Sequence, residues 1–164
     1  MPVYYLETSA LVKKYRTEKG TEVVAELFQH KQRSDVVVTS YFTVVEITSV
    51  ATRLLRAGAL TNRAYQVIMG NLSRDMREAV RLHPVSDSVL SEAISLTQNH
   101  ALRAPDAIHV ATALDVRAGV SVNPFYFLGS DSRLNTVCRS SGLVVLDPEG
   151  ANALDALRNF RSSG

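Results

Sequence analysis

Four acids stand where the surrounding sequence is apolar or is changing from one element to the next. Glu7 ends the run Val3-Tyr4-Tyr5-Leu6, and Glu46 interrupts Val44-Val45-Glu46-Ile47. Asp106 follows Pro105 at the head of an Ala-rich stretch, and Asp131 follows Phe125-Tyr126-Phe127-Leu128-Gly129-Ser130. A carboxylate among apolar side chains is costly to bury unless it is paired or bound to a metal. If the four converge, they cannot all stay ionised without a cation, because like charges raise one another's pKa. Oxygen ligands with no Cys–His cluster favour Mg²⁺ or Mn²⁺. A carboxylate-held Mg²⁺ keeps several waters, so it can deliver an activated water and clamp a phosphate; the chemistry implied is phosphodiester hydrolysis. Each acid also has a plainer use. Glu7 can complement the positive end of the next helix, Glu46 can pair with Arg53 or Arg56, Asp106 can serve a helix dipole, and Asp131 can cap a helix. His109, alone on the apolar face it shares with Asp106, Val110 and Ala113, reads as a satisfied core residue.

The elements that must position these acids alternate. Val3 to Leu6 is a short apolar run suited to a strand buried on both faces. The switch to helix falls at Glu7–Ser9, and Thr21 to His30 has the helical stripe Val23, Val24, Leu27 and Phe28. Asp35 to Thr39 is a second buried strand, and Ser40 caps a helix from Tyr41 to Arg56 that stops at Gly58. Thr61 caps a helix running to about Leu82, and Val85 is a minimal strand after Pro84. Helices follow from Asp87 or Ser88 to about His100 and from Asp106 to Ala118, then a strand from Phe125 to Leu128. A helix from Asp131 to about Ser140, a strand from Leu143 to Leu146 and a helix over 151–161 complete the order, with 162–164 as a loose tail. Strands interleaved with helices predict a central parallel sheet covered on both faces, in one domain spanning 1–164. In such sheets ligands bind beyond the carboxyl ends of strands, where Glu7 and Asp131 lie.

Size and composition fit that domain. A chain of 164 residues buries about 70% of its unfolded surface. Hydrophobic residues make up 46% and charged ones 21%, as in ordinary soluble proteins. No apolar run approaches the ~20 residues of a membrane helix, no signal peptide opens the sequence, and the single Cys138 reads as a buried inert thiol. No membrane association and a reducing, cytoplasmic setting are expected. The net charge of +2 points only weakly to an anionic partner. Arg74, Arg77 and Arg81 read as a stripe on one helix face, either solvated or contacting nucleic acid. The helices from Tyr41 to Leu82 carry more apolar positions, including Leu54, Leu55, Leu60, Ile68, Met69 and Leu72, than one face against a sheet requires. A second copy of the chain or another partner is expected to bury part of them.

Four segments in this order and spacing carry a family resemblance: Tyr5-Leu6-Glu7-Thr8-Ser9-Ala10-Leu11-Val12-Lys13, Val44-Val45-Glu46, Leu102-Arg103-Ala104-Pro105-Asp106-Ala107-Ile108-His109-Val110-Ala111-Thr112-Ala113, and Gly129-Ser130-Asp131-Ser132-Arg133-Leu134. Over nearly its whole length the chain resembles the PIN-domain nucleases, specifically the VapC-type ribonuclease toxins of toxin–antitoxin modules. The resemblance implies a three-layer α/β/α fold, RNA cleavage dependent on Mg²⁺ or Mn²⁺, a homodimer, and inhibition by a cognate antitoxin. Glu7, Glu46, Asp106 and Asp131 match the catalytic and metal-binding acids. Thr8 or Ser9 matches a hydroxyl near the metal that anchors a water, or caps the first helix. Lys13, Lys14, Arg103 and Arg133 are the candidate RNA contacts. One position departs from the family: Glu7 stands where the pattern has Asp. The added methylene extends the side chain by one carbon–carbon bond, while Mg²⁺ tolerates little deviation from octahedral geometry. The alternative is therefore a catalytically weakened PIN-fold scaffold that binds RNA or antitoxin. A small-molecule phosphatase would want a second Asp close behind a nucleophilic Asp after the first strand, and the sequence has none.

Overall fold

The structure, a computed structural model, describes residues 2–120 and 124–162. Its strands are β1 (Val3–Leu6), β2 (Val36–Ser40), β3 (Arg81–His83), β4 (Phe125–Leu128) and β5 (Val144–Leu146). Its helices are α1 (Thr8–Leu11), α2 (Thr21–Gln29), α3 (Tyr41–Arg56), α4 (Asn62–Glu78), α5 (Asp87–His100), α6 (Ala104–Gly119), α7 (Ser132–Ser140) and α8 (Ala153–Ser162). A 3₁₀ turn, Val12–Lys14, extends α1.

The five strands lie in the order β3-β2-β1-β4-β5, and every pair is parallel. β1 is central, with Val3 opposite Val36 on one side and opposite Phe125 on the other. Its side chains alternate between two cores, as a strand's period of two requires. Val3 and Tyr5 pack with Val89, Ala93, Val110, Phe127 and Leu134, so α5, α6 and α7 cover that face. Tyr4 and Leu6 pack with Leu11, Leu27, Ile47, Leu72 and Leu157, so α1 to α4 and α8 cover the other. The result is the expected α/β/α sandwich.

The chain runs outward from β1 through β2 to β3, then returns to place β4 on the other side of β1. The crevice beyond the carboxyl ends of β1 and β4 is thus the switch point at which ligands bind in sheets of this kind.

Most element boundaries follow the sequence signals. The Ser40 hydroxyl accepts the Phe42 N–H at 3.2 Å, and Thr61 and Ser86 cap α4 and α5 in the same way. One region differs. α4 ends at Glu78, and the third strand is Arg81–His83, before Pro84, with Val38 paired to Arg81. Val85 is in no strand. The open edge of β2 captures Arg81 and Leu82, which the helical pattern assigns to α4, together with His83. Arg81 therefore leaves the α4 face, where Arg74 and Arg77 instead bond their helical neighbours Asn71 and Ser73. Cys138 is buried, and burial pushes its thiol up to about 12, so it is inert as expected. Ser162 closes α8, while the rest of the expected loose tail, 163–164, lies outside the described residues.

Candidate active site

Glu7 is the last residue before α1 and caps it. Its Oε2 accepts the Ser9 N–H at 2.9 Å, and the Ser9 hydroxyl donates to Oε1. Ser9 Oγ in turn accepts the Ser130 N–H at 2.8 Å, which ties the end of β1 to the end of β4. Glu7 is 5% exposed. Burial holds its carboxyl above the ordinary value, outweighing the charge of His109 and the bonds from Ser9. Room for the longer acid comes from Gly129, where a Cβ would stand 2.9 Å from Glu7 Cγ. Asn135 holds that glycine in place by donating to its carbonyl at 2.8 Å.

Glu46 projects from the second turn of α3. Its Oε2 takes the Thr8 hydroxyl and lies 2.7 Å from His109 Nε2. Burial alone would raise the Glu46 pKa, but the bonds from His109 and Thr8 outweigh it and hold the carboxyl below its ordinary value. Neither Arg53 nor Arg56 is its partner.

Asp106 stands in the first turn of α6 and receives a two-pronged bond from Arg103, with Nε at 2.8 Å and Nη2 at 3.4 Å. Asp131 caps α7 by accepting the Leu134 N–H at 2.9 Å on Oδ1, and its Oδ2 faces Arg103 Nη2 at 3.7 Å. The guanidinium of Arg103, held fully protonated first by Asp106 and then by Asp131 and Glu46, is thus the cation among these acids. Arg133 donates to the carbonyl of Ala101 at 2.8 Å, in the loop before α6 where Ala101 takes the left-handed conformation at φ 50°.

The acids therefore form two linked pairs. Asp106 and Asp131 share Arg103, and Glu7 and Glu46 are joined through the adjacent Thr8 and the field of His109. Their donor set is oxygen only, and Asp106 and Asp131 already share a positive group, a chemistry that suits a hard divalent cation. As they stand, no three His, Cys, Asp or Glu side chains among the described residues are arranged to hold a metal ion together. Glu7 is turned onto Ser9, and Arg103 occupies Asp106.

The basic residues divide. Lys13 is buried between Glu18 at 2.9 Å and Glu149 at 2.8 Å, and Lys14 pairs with the buried Asp75. Both lysines are engaged in structural ion pairs, whereas Arg103 is 73% exposed beside the acids. His109 is buried as expected but also belongs to the site, which its helical spacing of three from Asp106 could have signalled.

Residues 4–121 match the PIN domain family. This chain belongs to the PIN-domain family. Ribonuclease VapC35 of Mycobacterium tuberculosis is 32% identical over 145 residues, covering 88% of this chain and 96% of that protein. Among solved structures, VapBC2 from Rickettsia felis, bound to a DNA fragment from its promoter, has a TM-score of 0.64 at 9% identity, over 88% of this chain and 98% of that one. A toxin–antitoxin complex from Klebsiella pneumoniae has a TM-score of 0.52 at 15% identity, over 79% and 87%. These structures share the fold, and within this PIN domain the four acids lie at the sheet's switch point.

Proposed function

We propose that this PIN domain is a divalent-metal-dependent endoribonuclease and the toxin of a toxin–antitoxin pair, acting in the cytoplasm. The observation that carries the reading is Arg103 shared between Asp106 and Asp131 at the switch point, with Glu46 in the field of the same guanidinium and tied to Thr8, next to Glu7. The ribonuclease name of a relative at 32% identity over nearly the whole chain supports it.

Asp106, Asp131 and Glu46 would hold Mg²⁺ or Mn²⁺, with Glu7 as the fourth acid. The bound metal supplies an activated water and charge stabilisation at the phosphate. The chain's own residues do the rest. Glu46 stays ionised because His109 and Thr8 donate to it. Arg103, once released from Asp106, is free to meet a backbone phosphate with the paired donors that a guanidinium offers. Arg133 fixes the loop that carries Arg103.

Partners fit two separate surfaces. A groove of about 550 Å³ is lined by Val12, Tyr15, Ile47, Leu54, Leu60 and Val67 and suits an apolar helix of the antitoxin. Tyr41 and Val45 on α3, and Leu90 and Ile94 on α5, are exposed apolar pairs four residues apart and suit a second copy of the chain.

A second reading, the weakened scaffold, is favoured by one observation: Glu7 is engaged as a helix cap. Incubating the protein with a panel of RNAs in Mg²⁺, in Mn²⁺ and with chelator separates the two. The nuclease reading expects metal-dependent cleavage that Asp106→Asn abolishes without unfolding the protein. The scaffold reading expects RNA or antitoxin binding with no cleavage in either metal.

A further inference from the structure

We infer that His109 is a positioning residue for the metal centre, aiming Glu46 by holding one of its oxygens from inside the protein; this rests on the nuclease reading above. His109 is 2% exposed and lies between β1 and α3, touching a residue of each. Its Nδ1 is 3.1 Å from the hydroxyl of Tyr5, a fully buried residue of β1. The buried phenol thus seats the ring of His109 from the side of the central strand. The other ring nitrogen, Nε2, lies 2.7 Å from Glu46 Oε2; an ionised carboxylate can only accept, so Nε2 is the donor in this contact. Thr8, 3.1 Å from the same nitrogen, donates to that same oxygen.

Both donors fall on Oε2, and no described residue hydrogen-bonds Oε1. One oxygen of Glu46 is clamped by the fold, and the other remains for a cation. A chain of contacts thus runs from Tyr5 on the central strand through His109 to a candidate ligand. Groups that hold a ligating carboxylate in this way typically change metal affinity or activity by about 10- to 100-fold when removed. Ordinary core packing by His109 would have no such effect.

The test uses His109→Gln, which keeps a donor near Nε2, and the double variant Tyr5→Phe/His109→Leu, which removes both partners and leaves no orphaned phenol. Mn²⁺ affinity is read from the paramagnetic resonance signal of free Mn²⁺, alongside kcat and KM for RNA and thermal melting. The expected result is a folded double variant that binds Mn²⁺ about 10-fold more weakly, with kcat reduced more than KM, and a Gln variant within about 3-fold of wild type. In wild-type protein, ¹⁵N spectra of labelled histidine should show His109 protonated on Nε2. A folded double variant with wild-type Mn²⁺ affinity, or a His109 protonated on Nδ1 alone, overturns the inference. If the wild type neither binds Mn²⁺ nor cuts RNA, the nuclease reading fails instead. The Glu46 carboxyl ¹³C signal of the metal-free protein, shifted or unmoved by the double variant, then decides whether His109 holds Glu46.

Discussion

Two glutamates at one site carry opposite perturbations, and the cause is what each touches. Glu46 is held ionised because a ring nitrogen and a hydroxyl outweigh its burial. Glu7 is more deeply enclosed, and desolvation wins despite its bonds to Ser9. A folded-state pKa raised above the unfolded value gives stability that is complete below the ordinary carboxyl pKa and is lost as pH rises through the raised one. Glu7→Gln removes that loss. The metal-free variant should therefore be more stable than wild type near neutral pH, with the advantage fading in acid, as read by urea unfolding across the pH range. Equal stability at every pH would show that Glu7 bears no such burden. The same variant should weaken metal binding if Glu7 is the fourth ligand, while Glu7→Asp should preserve or improve it. All four acids were legible in the sequence as candidates, Glu7, Asp106 and Asp131 because each stands at the start of a helix and Glu46 because it interrupts an apolar run. Arg103 between Asp106 and Asp131, and His109 on Glu46, were not legible as partners. Arg103 and Asp106 are a local pair three residues apart, but Arg103 reaching Asp131 and His109 reaching Glu46 depend on α3, α6 and the β4 loop meeting in space.

At the scale of elements, local chemistry set most boundaries and the sheet set the exception. α3 runs from Tyr41 to Arg56 as Ser40 and Gly58 predict, whereas Arg81–His83 is a strand only because β2 offers an unpaired edge. The start of α2 depends on Gly20, which has φ 84° and would place a Cβ 2.6 Å from the Pro148 carbonyl oxygen. Gly20→Ala combines a left-handed backbone with a clash against main chain that has little freedom to retreat. It should cost about 1–3 kcal/mol in chemical denaturation. A change within error would mean that the turn after β5 relaxes freely. The groove between the first turn region and the α3–α4 pair makes a separate prediction. Val67→Glu places a charge at an exposed apolar position of its wall, so antitoxin affinity measured by calorimetry should fall about 10-fold or more, with RNA cleavage unchanged. Loss of both together would join the groove to the catalytic site.

For the whole molecule, topology does what the individual acids cannot. Returning to place β4 beside β1 brings Glu7 and Asp131 together, and the helices on opposite faces deliver Glu46 and Asp106 to the same edge. Among the described residues no helix is long and apolar enough to cross a membrane, and a net charge of +2 gives the whole molecule little pull on an anionic partner, so the proposed contact with RNA would rest on local groups such as Arg103. The central claim is that these acids hold a divalent cation in place of Arg103. A crystal structure with Mn²⁺ present, examined by anomalous scattering, tests it most directly. The expected result is a Mn²⁺ ion bound directly by oxygens of Glu46, Asp106 and Asp131, with the guanidinium of Arg103 turned away from Asp106. Arg103 still seated on Asp106, with no Mn²⁺ touching any of the three acids, would contradict it.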